Sequence, residues 1–246
     1  MKVIAINSSK RKGNTYRLLL QIKQHLEKEH IEVEIVHLHD YQIASCIGCE
    51  VCLRKGECMV QDDTKLLMEK LMQSDGIILS SPVYMQAISG KLKTFIDRTC
   101  SWYHRPALYG KPFLSVATTM GSGLRSTLSY IEKTGIQWGC LPSGKIGKNV
   151  VSMKKELKEQ ECSLFIKNLK KEMIHHHPSF SSILNYNIQK AMSQNLTEPD
   201  KKYWKEKGWL SLPYYYPCKI NPIKKAIGNT TYKTLNKILS KAQNTY

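Results

Sequence analysis

The segment CIGCEVCLRKGEC places Cys46, Cys49, Cys52 and Cys58 within one short loop. Thiolates are soft ligands, and their spacing limits what they hold. Structural zinc generally draws on two C-x2-C knuckles a dozen or more residues apart, so that two loops complete a tetrahedron. Here the first three follow C-x2-C-x2-C, by which one loop wraps three corners of an iron–sulfur cubane. Five residues including Gly56 then let the chain return with a fourth thiol. Zinc, a disulfide, or unligated and redox-active thiols stay open as alternatives; one disulfide would leave two thiols unexplained.

A second set of residues suits a phosphate and a flat ring. In SSKRKGNT, residues 8–15, small hydroxyls, cations and a close-approach glycine precede a helix start. Backbone N–H groups and the helix dipole there favour an anion, with Ser8, Ser9, Lys10, Lys12, Gly13, Asn14 and Thr15 as candidates. The spacing is neither that of a P-loop nor that of the dinucleotide fingerprint. A capped turn with solvated lysines is the competing reading. In SPVYMQAISG, residues 81–90, Pro82 stiffens the chain while Tyr84 and Met85 offer polarizable surface to a ring. Amides from Val83 through Gln86 and Ala87 suit its polar edge, and Thr119, Met120, Gly121 and Gly123 of TTMGSG close the other side. Hydride transfer to a bound ring requires no side-chain acid or base, and no catalytic side chain is nominated.

These loops need a frame. KVIAIN at 2–7 reads as a buried strand, followed by a helix over 16–28 with Leu18, Leu19, Ile22 and Leu26 on one face. Strands are expected at 31–40, 76–81, 112–120 and near 137–144. Helices are expected after Asp62/Asp63 (with Leu66, Leu67, Leu71 and Met72), over SGKLKTFIDRT, from Ser122 to about Lys133, and over about 154–173. Alternating strands and amphipathic helices predict an α/β fold: a flavodoxin-like, doubly wound, five-stranded parallel sheet of order 2-1-3-4-5. Residues 1–178 form the expected domain, with 179–246 as a C-terminal aromatic and basic extension packing on the core or a partner subunit.

In that extension, residues 179–222 show little periodicity. Trp204, Trp209 and Tyr214–Tyr216 are expected to pack as a strap rather than stack on bases, with a Tyr214/Trp209 lid over the ring unsupported by spacing. The final helix groups Tyr232, Leu235, Ile238 and Leu239, and His175–His177 reads as a solvated helix end. The net charge of +17 is concentrated in residues 151–246, where every cation is a lysine, and this argues against specific nucleic-acid readout. The Val3–Ile6 run is too short for a signal peptide, and no stretch approaches the roughly 18 apolar residues of a membrane span. A cytosolic placement follows, where a tight cysteine cluster is metal-binding or catalytic more often than disulfide-bonded. Cys100, Cys140, Cys162 and Cys218 are expected to be small buried hydrophobes.

SSKRKGNT after the first strand, SPVYMQAISGKLKTFIDR after the third and TTMGSG after the fourth resemble the NADPH-dependent FMN reductase family of flavodoxin-like oxidoreductases. The resemblance covers residues 1 to about 170. It implies FMN, its phosphate at Ser8–Thr15 and its isoalloxazine against Pro82–Ala87 and Thr119–Gly123, with NAD(P)H as co-substrate. With the compact cysteine motif the chain resembles the iron–sulfur flavoproteins. That implies a [4Fe–4S] cluster on Cys46, Cys49, Cys52 and Cys58 near the FMN, a ferredoxin-like donor, and a homodimer or homotetramer in which cluster and flavin of neighbouring chains approach. The expected function is an FMN-dependent oxidoreductase; the alternative is an FMN-binding electron carrier or regulatory protein without NAD(P)H turnover.

Overall fold

The computed structural model describes residues 1–243. In chain order the elements are β1 (Lys2–Asn7), α1 (Asn14–Lys28), β2 (Glu32–His37), α2 (Val51–Lys55), α3 (Thr64–Gln73), β3 (Gly76–Pro82), α4 (Gly90–Arg98) and α5 (Ser101–His104). There follow β4 (Pro112–Thr118), α6 (Leu124–Gln137), β5 (Leu141–Lys148), α7 (Glu159–Leu169), α8 (Phe180–Asn195), α9 (Glu198–Glu206) and α10 (Pro222–Gln243). All five strands pair in parallel, in the order β2-β1-β3-β4-β5.

Because successive strand residues face opposite sides, the apolar runs of the central strands feed two cores at once. Ile4, Ile6, Ile77, Leu79 and Phe113 join Leu67, Leu71, Leu92, Phe95 and Ile131 from α3, α4 and α6 on one face. Val3, Ala5, Ile78, Leu114 and Val116 join Leu18, Ile22, Leu26 and Phe165 from α1 and α7 on the other.

The differences from the sequence reading lie where tertiary pairing overrides local pattern. The fifth strand runs over Leu141–Lys148, four residues later than expected, because α6 continues to Gln137 and turns at Gly139 before the chain pairs with β4. Its PSGKIG sequence is a poor strand former by itself. On α3, Leu67 and Leu71 are buried, but Leu66 and Met72 are exposed.

The segment with little periodicity holds two helices, α8 and α9. Tyr186, Trp204, Trp209, Tyr214, Tyr215 and Tyr216 form a third core of their own, so Trp209 and Tyr214 are walled in and no lid. The Tyr186 hydroxyl donates to the carbonyls of Trp209 (2.6 Å) and Leu212 (2.7 Å). α8 also packs on α5 and α6, and Gln189 Nε2 donates to the carbonyls of Tyr103 (2.6 Å) and Gln137 (3.0 Å). His176 is buried against Tyr216 and bonded to the Asn168 carbonyl, not solvated as expected. Along α10, which lies on α8, Tyr232, Leu235 and Leu239 are partly covered while Ile238 is exposed.

Candidate functional site: a loop cleft and a cysteine cavity

Three loops meet where the carboxyl ends of β1, β3 and β4 leave the sheet, the position at which ligands bind in this topology. They are joined from below by buried hydroxyls. Ser8 Oγ donates to the Ser80 carbonyl (2.8 Å) and lies 2.9 Å from Ser89 Oγ, while Thr15 and Thr118 share a bond of 2.7 Å. Ser9 Oγ turns back to the Arg11 carbonyl (2.9 Å), so what this loop offers outward is backbone and the exposed cations Lys10 and Lys12. α1 begins after Gly13 without a side-chain cap, and the faces of Gly13 and Gly121 look onto open space. An uncapped helix start with unobstructed backbone fits a phosphate.

The loop after β3 is a tight turn, with Tyr84 and Ala87 bridged and Met85 and Gln86 at φ 47° and 65°. Two consecutive non-glycine residues in the left-handed region carry backbone strain, a feature concentrated at ligand sites. Pro82 is buried and Val83 half-buried at its base, whereas Met85 is 98% exposed and Tyr84, Gln86 and Ala87 are also open. The loop after β4 lies against it: at Gly123, φ 84°, a Cβ would meet Gln86 Cα at 2.6 Å, and Ser126 Oγ donates to the Gln86 carbonyl (3.2 Å). Thr119 is buried and holds the turn through Gly121 N (3.1 Å), while Met120 is exposed with its sulfur 3.8 Å from Asn14 Nδ2. The residues expected around a flavin thus stand on three loops that are bonded to one another at the carboxyl ends of β1, β3 and β4.

The four motif cysteines also come together. Cys46, Cys49, Cys52 and Cys58 line a cavity of about 70 Å³, walled by Ile47, Leu53 and Val60. Cys100, expected to be a core residue, lines it too. Among the described residues no group of three His, Cys, Asp or Glu side chains is spaced to hold a metal ion as the side chains stand. None of these cysteines is in a disulfide. Burial pushes the Cys52 thiol up and that of Cys100 up to about 11, so both are neutral at pH 7 until a positive charge enters the cavity. Arg98, 3% exposed, also lines the cavity, and its Nε–H has no acceptor. Soft donors around one space, with an unpaired N–H beside them, fit a compact anionic iron–sulfur group.

Two arginines that sequence reading missed hold this loop. Arg98 closes it like a clasp: Nη1 donates to the Ala44 carbonyl (3.0 Å) and Asp62 Oδ2 (2.5 Å), and Nη2 to the Val60 carbonyl (3.0 Å) and Asp62 Oδ1 (3.2 Å). Asp62 also accepts from Ala44 N (2.8 Å) and Thr64 N (2.9 Å). Burial raises the Asp62 carboxyl, but those bonds outweigh it and hold the group well below the usual carboxylate range. A signal for Arg98 existed: on α4 it follows Leu92 and Phe95 at intervals of three, on the buried face. Arg105 reaches from α5 to the carbonyls of Leu53 and Cys52 (3.4 Å to the latter) on α2, while its Nε donates to the fully buried Asp200 of α9 (2.6 Å). Asp200 also meets His104 Nδ1 at 2.8 Å. The C-terminal extension therefore braces the cysteine loop.

The cleft and the cavity lie at opposite ends of α4, the former beside Ser89 and Gly90, the latter at Arg98 and Cys100. Nine residues at 1.5 Å each separate them by about 13 Å along the helix. A larger cavity, about 510 Å³, adjoins the cysteines between α3, α5 and Tyr203.

Residues 1–146 match the family described as NADPH-dependent FMN reductase. An iron-sulfur flavoprotein of Archaeoglobus fulgidus is 32% identical over 228 residues, covering 85% of this chain and 100% of that protein. An iron-sulfur flavoprotein of Clostridioides difficile is 28% identical over 173 residues, 66% of this chain and 76% of the relative. Among solved structures, RosB with a bound 8-demethyl-8-formylriboflavin-5'-phosphate intermediate superposes with TM-score 0.54 at 13% identity, covering 95% of this chain and 87% of that one. A flavone reductase gives TM-score 0.52 at 14% identity, over 69% and 61%. These two likenesses show the shared fold. The cleft beyond β1, β3 and β4 sits in a flavodoxin-like sheet whose sequence matches along most of its length, and so the chain belongs to the NADPH-dependent FMN reductase family of FMN-dependent oxidoreductases, in its iron–sulfur flavoprotein type.

Proposed function

We propose that this protein is an electron-transferring FMN oxidoreductase that passes electrons between NAD(P)H or a ferredoxin-like donor and an acceptor, with a [4Fe–4S] cluster on Cys46, Cys49, Cys52 and Cys58. The observation that carries the reading is the convergence of the four motif thiols on one cavity beside the unpaired Arg98 Nε–H, in a chain that also has the flavin cleft. When bound, FMN supplies hydride acceptance and single-electron transfer, and the cluster single-electron transfer alone.

The chain's own residues do the rest. The backbone of 8–15 and the α1 start hold the phosphate, with Lys10 and Lys12 adding positive charge. In the strained turn Tyr84 N and Ala87 N donate to each other's carbonyls, and Val83 N donates to that of Thr118. The amides of Met85 and Gln86, not the whole run from Val83 to Ala87, are therefore left for the ring's polar edge, with Thr119–Gly123 covering the neighbouring side. Arg98 and Arg105 keep the thiols in place. The expected homo-oligomer is part of this reading, and in it the cavity of one chain would face the cleft of another. No helix among the described residues is long and apolar enough to cross a membrane.

Anaerobic purification with a visible spectrum and iron and sulfide assays tests the cofactors: flavin bands, a broad thiolate-to-iron shoulder and about four irons per chain are expected. NADPH oxidation with added FMN or quinone then tests turnover. Flavin bands without iron would remove the cluster from the reading, and no turnover with any acceptor would leave an electron carrier.

A further inference from the structure

Four cysteines lie outside the motif, and three have ordinary surroundings. Cys140 and Cys162 belong to the two sheet cores, and Cys218 packs against the aromatic cluster. Cys100 is different: it lines the motif's own cavity from another element, together with Cys52.

Its position is rigid. Cys100 sits at the junction of α4 and α5, where its carbonyl accepts from Tyr103 N (3.0 Å). The preceding Thr99 holds Trp138 Nε1 (2.9 Å) through its hydroxyl. Arg105, at the other end of α5, grips the carbonyl of Cys52 itself (3.4 Å). One short helix therefore fixes both the fifth thiol and the backbone of the motif residue it faces. The cavity's remaining walls are apolar apart from Glu50 and Arg98, and the latter brings an unpaired N–H.

We propose that Cys100 is a fifth thiol of the cluster site, placed to take over the iron that Cys52 holds. This rests on the four-iron reading above. In the exchange one iron–sulfur bond to Cys52 gives way to one to Cys100; the Cys100 thiol releases its proton, the departing Cys52 sulfur takes one up, and no electron is transferred. The site then has two ligation states with the same charge and iron count.

The test uses the full-length protein, reconstituted anaerobically with iron and sulfide. Cys52→Ala should retain close to the wild-type iron content with an altered EPR spectrum after reduction, whereas Cys52→Ala/Cys100→Ala should fall to under about a tenth of it. Bound FMN and far-UV circular dichroism check that each variant is folded. Cys52→Ala as iron-poor as the double variant, with both folded and the wild type loaded, overturns the proposal while leaving the four-iron reading intact. A wild-type protein that takes up no iron overturns both. Should Cys52→Ala fail to fold, Cys100→Ala decides: full iron with shifted iron–thiolate stretches in resonance Raman is expected, and a spectrum identical to wild type overturns the proposal.

Discussion

The flavin cleft and the cysteine cavity are built by opposite means. The cleft is held by short hydroxyl and backbone bonds between loops of neighbouring strands, such as Thr15 to Thr118 and Ser8 to Ser80, and its ligand-facing residues are open to solvent. The cavity is held by two buried arginines from α4 and α5, whose counter-charges are Asp62 and Asp200. A parallel sheet brings its loops together by construction, so small bonds suffice to trim them. The cysteine loop leaves the sheet altogether and must be pinned from outside. Its support extends through Asp200 into the aromatic extension, which ties the cysteine cavity to the C-terminal helices.

The contrast breaks most severely at Asp200. In Asp200→Asn the buried Arg105 loses its counter-charge, and an unpaired buried charge costs about 3–5 kcal/mol. Urea unfolding should show that loss, and the variant should lose iron well before FMN. Equal loss of both cofactors would mean that the extension supports the whole fold rather than the cavity.

Acid provides the next effect. Asp62 and Asp200 are buried, which raises them, but hydrogen bonds outweigh this and both end below the ordinary carboxylate value. The unfolded state therefore binds protons first. Their contribution is complete above about pH 4 and is lost as pH falls through the folded-state values. Each such proton weakens the fold by about 1.4 kcal/mol per pH unit, about 3–6 °C in Tm. Thermal melts from pH 6 downward should be flat at first and then fall. Iron should leave before the flavin as they fall.

The mildest effect belongs to the cleft. Thr118→Val deletes the buried 2.7 Å bond to Thr15, at about 1 kcal/mol. FMN titration should weaken by up to about tenfold with iron content unchanged; unchanged FMN affinity would show that the bond braces the strands and not the phosphate loop.

How much was legible follows the same division. The central strands could be read because burial on both faces demands continuous apolar runs, as in Val3–Ile6 and Ile77–Leu79. The positions of the three loops were readable because each follows directly from a strand end. β5, with its glycines and lysines, is a strand only because β4 offers it an edge. The Asp62/Asp63 pair looked like a helix start and does open α3, but only the fold shows that the same carboxylates clasp Gln42, Ala44 and Arg98. Cys100 looked like any core cysteine.

By itself, the amino-acid sequence determined the sheet, its strand order and two chemical vocabularies: a loop set suited to a flavin phosphate and ring, and a thiol motif suited to iron and sulfide. Hydrophobic period and motif spacing are local properties, and a linear chain displays them. The tertiary structure alone decided that five thiols rather than four share the cavity and that Arg98 and Arg105 lock it. It also decided that the extension's Asp200 anchors one of those arginines, and that cleft and cavity stand a helix length apart. Those contacts join residues separated by 36 to 95 positions, and their strength comes from burial of charge, which exists only once the chain has folded.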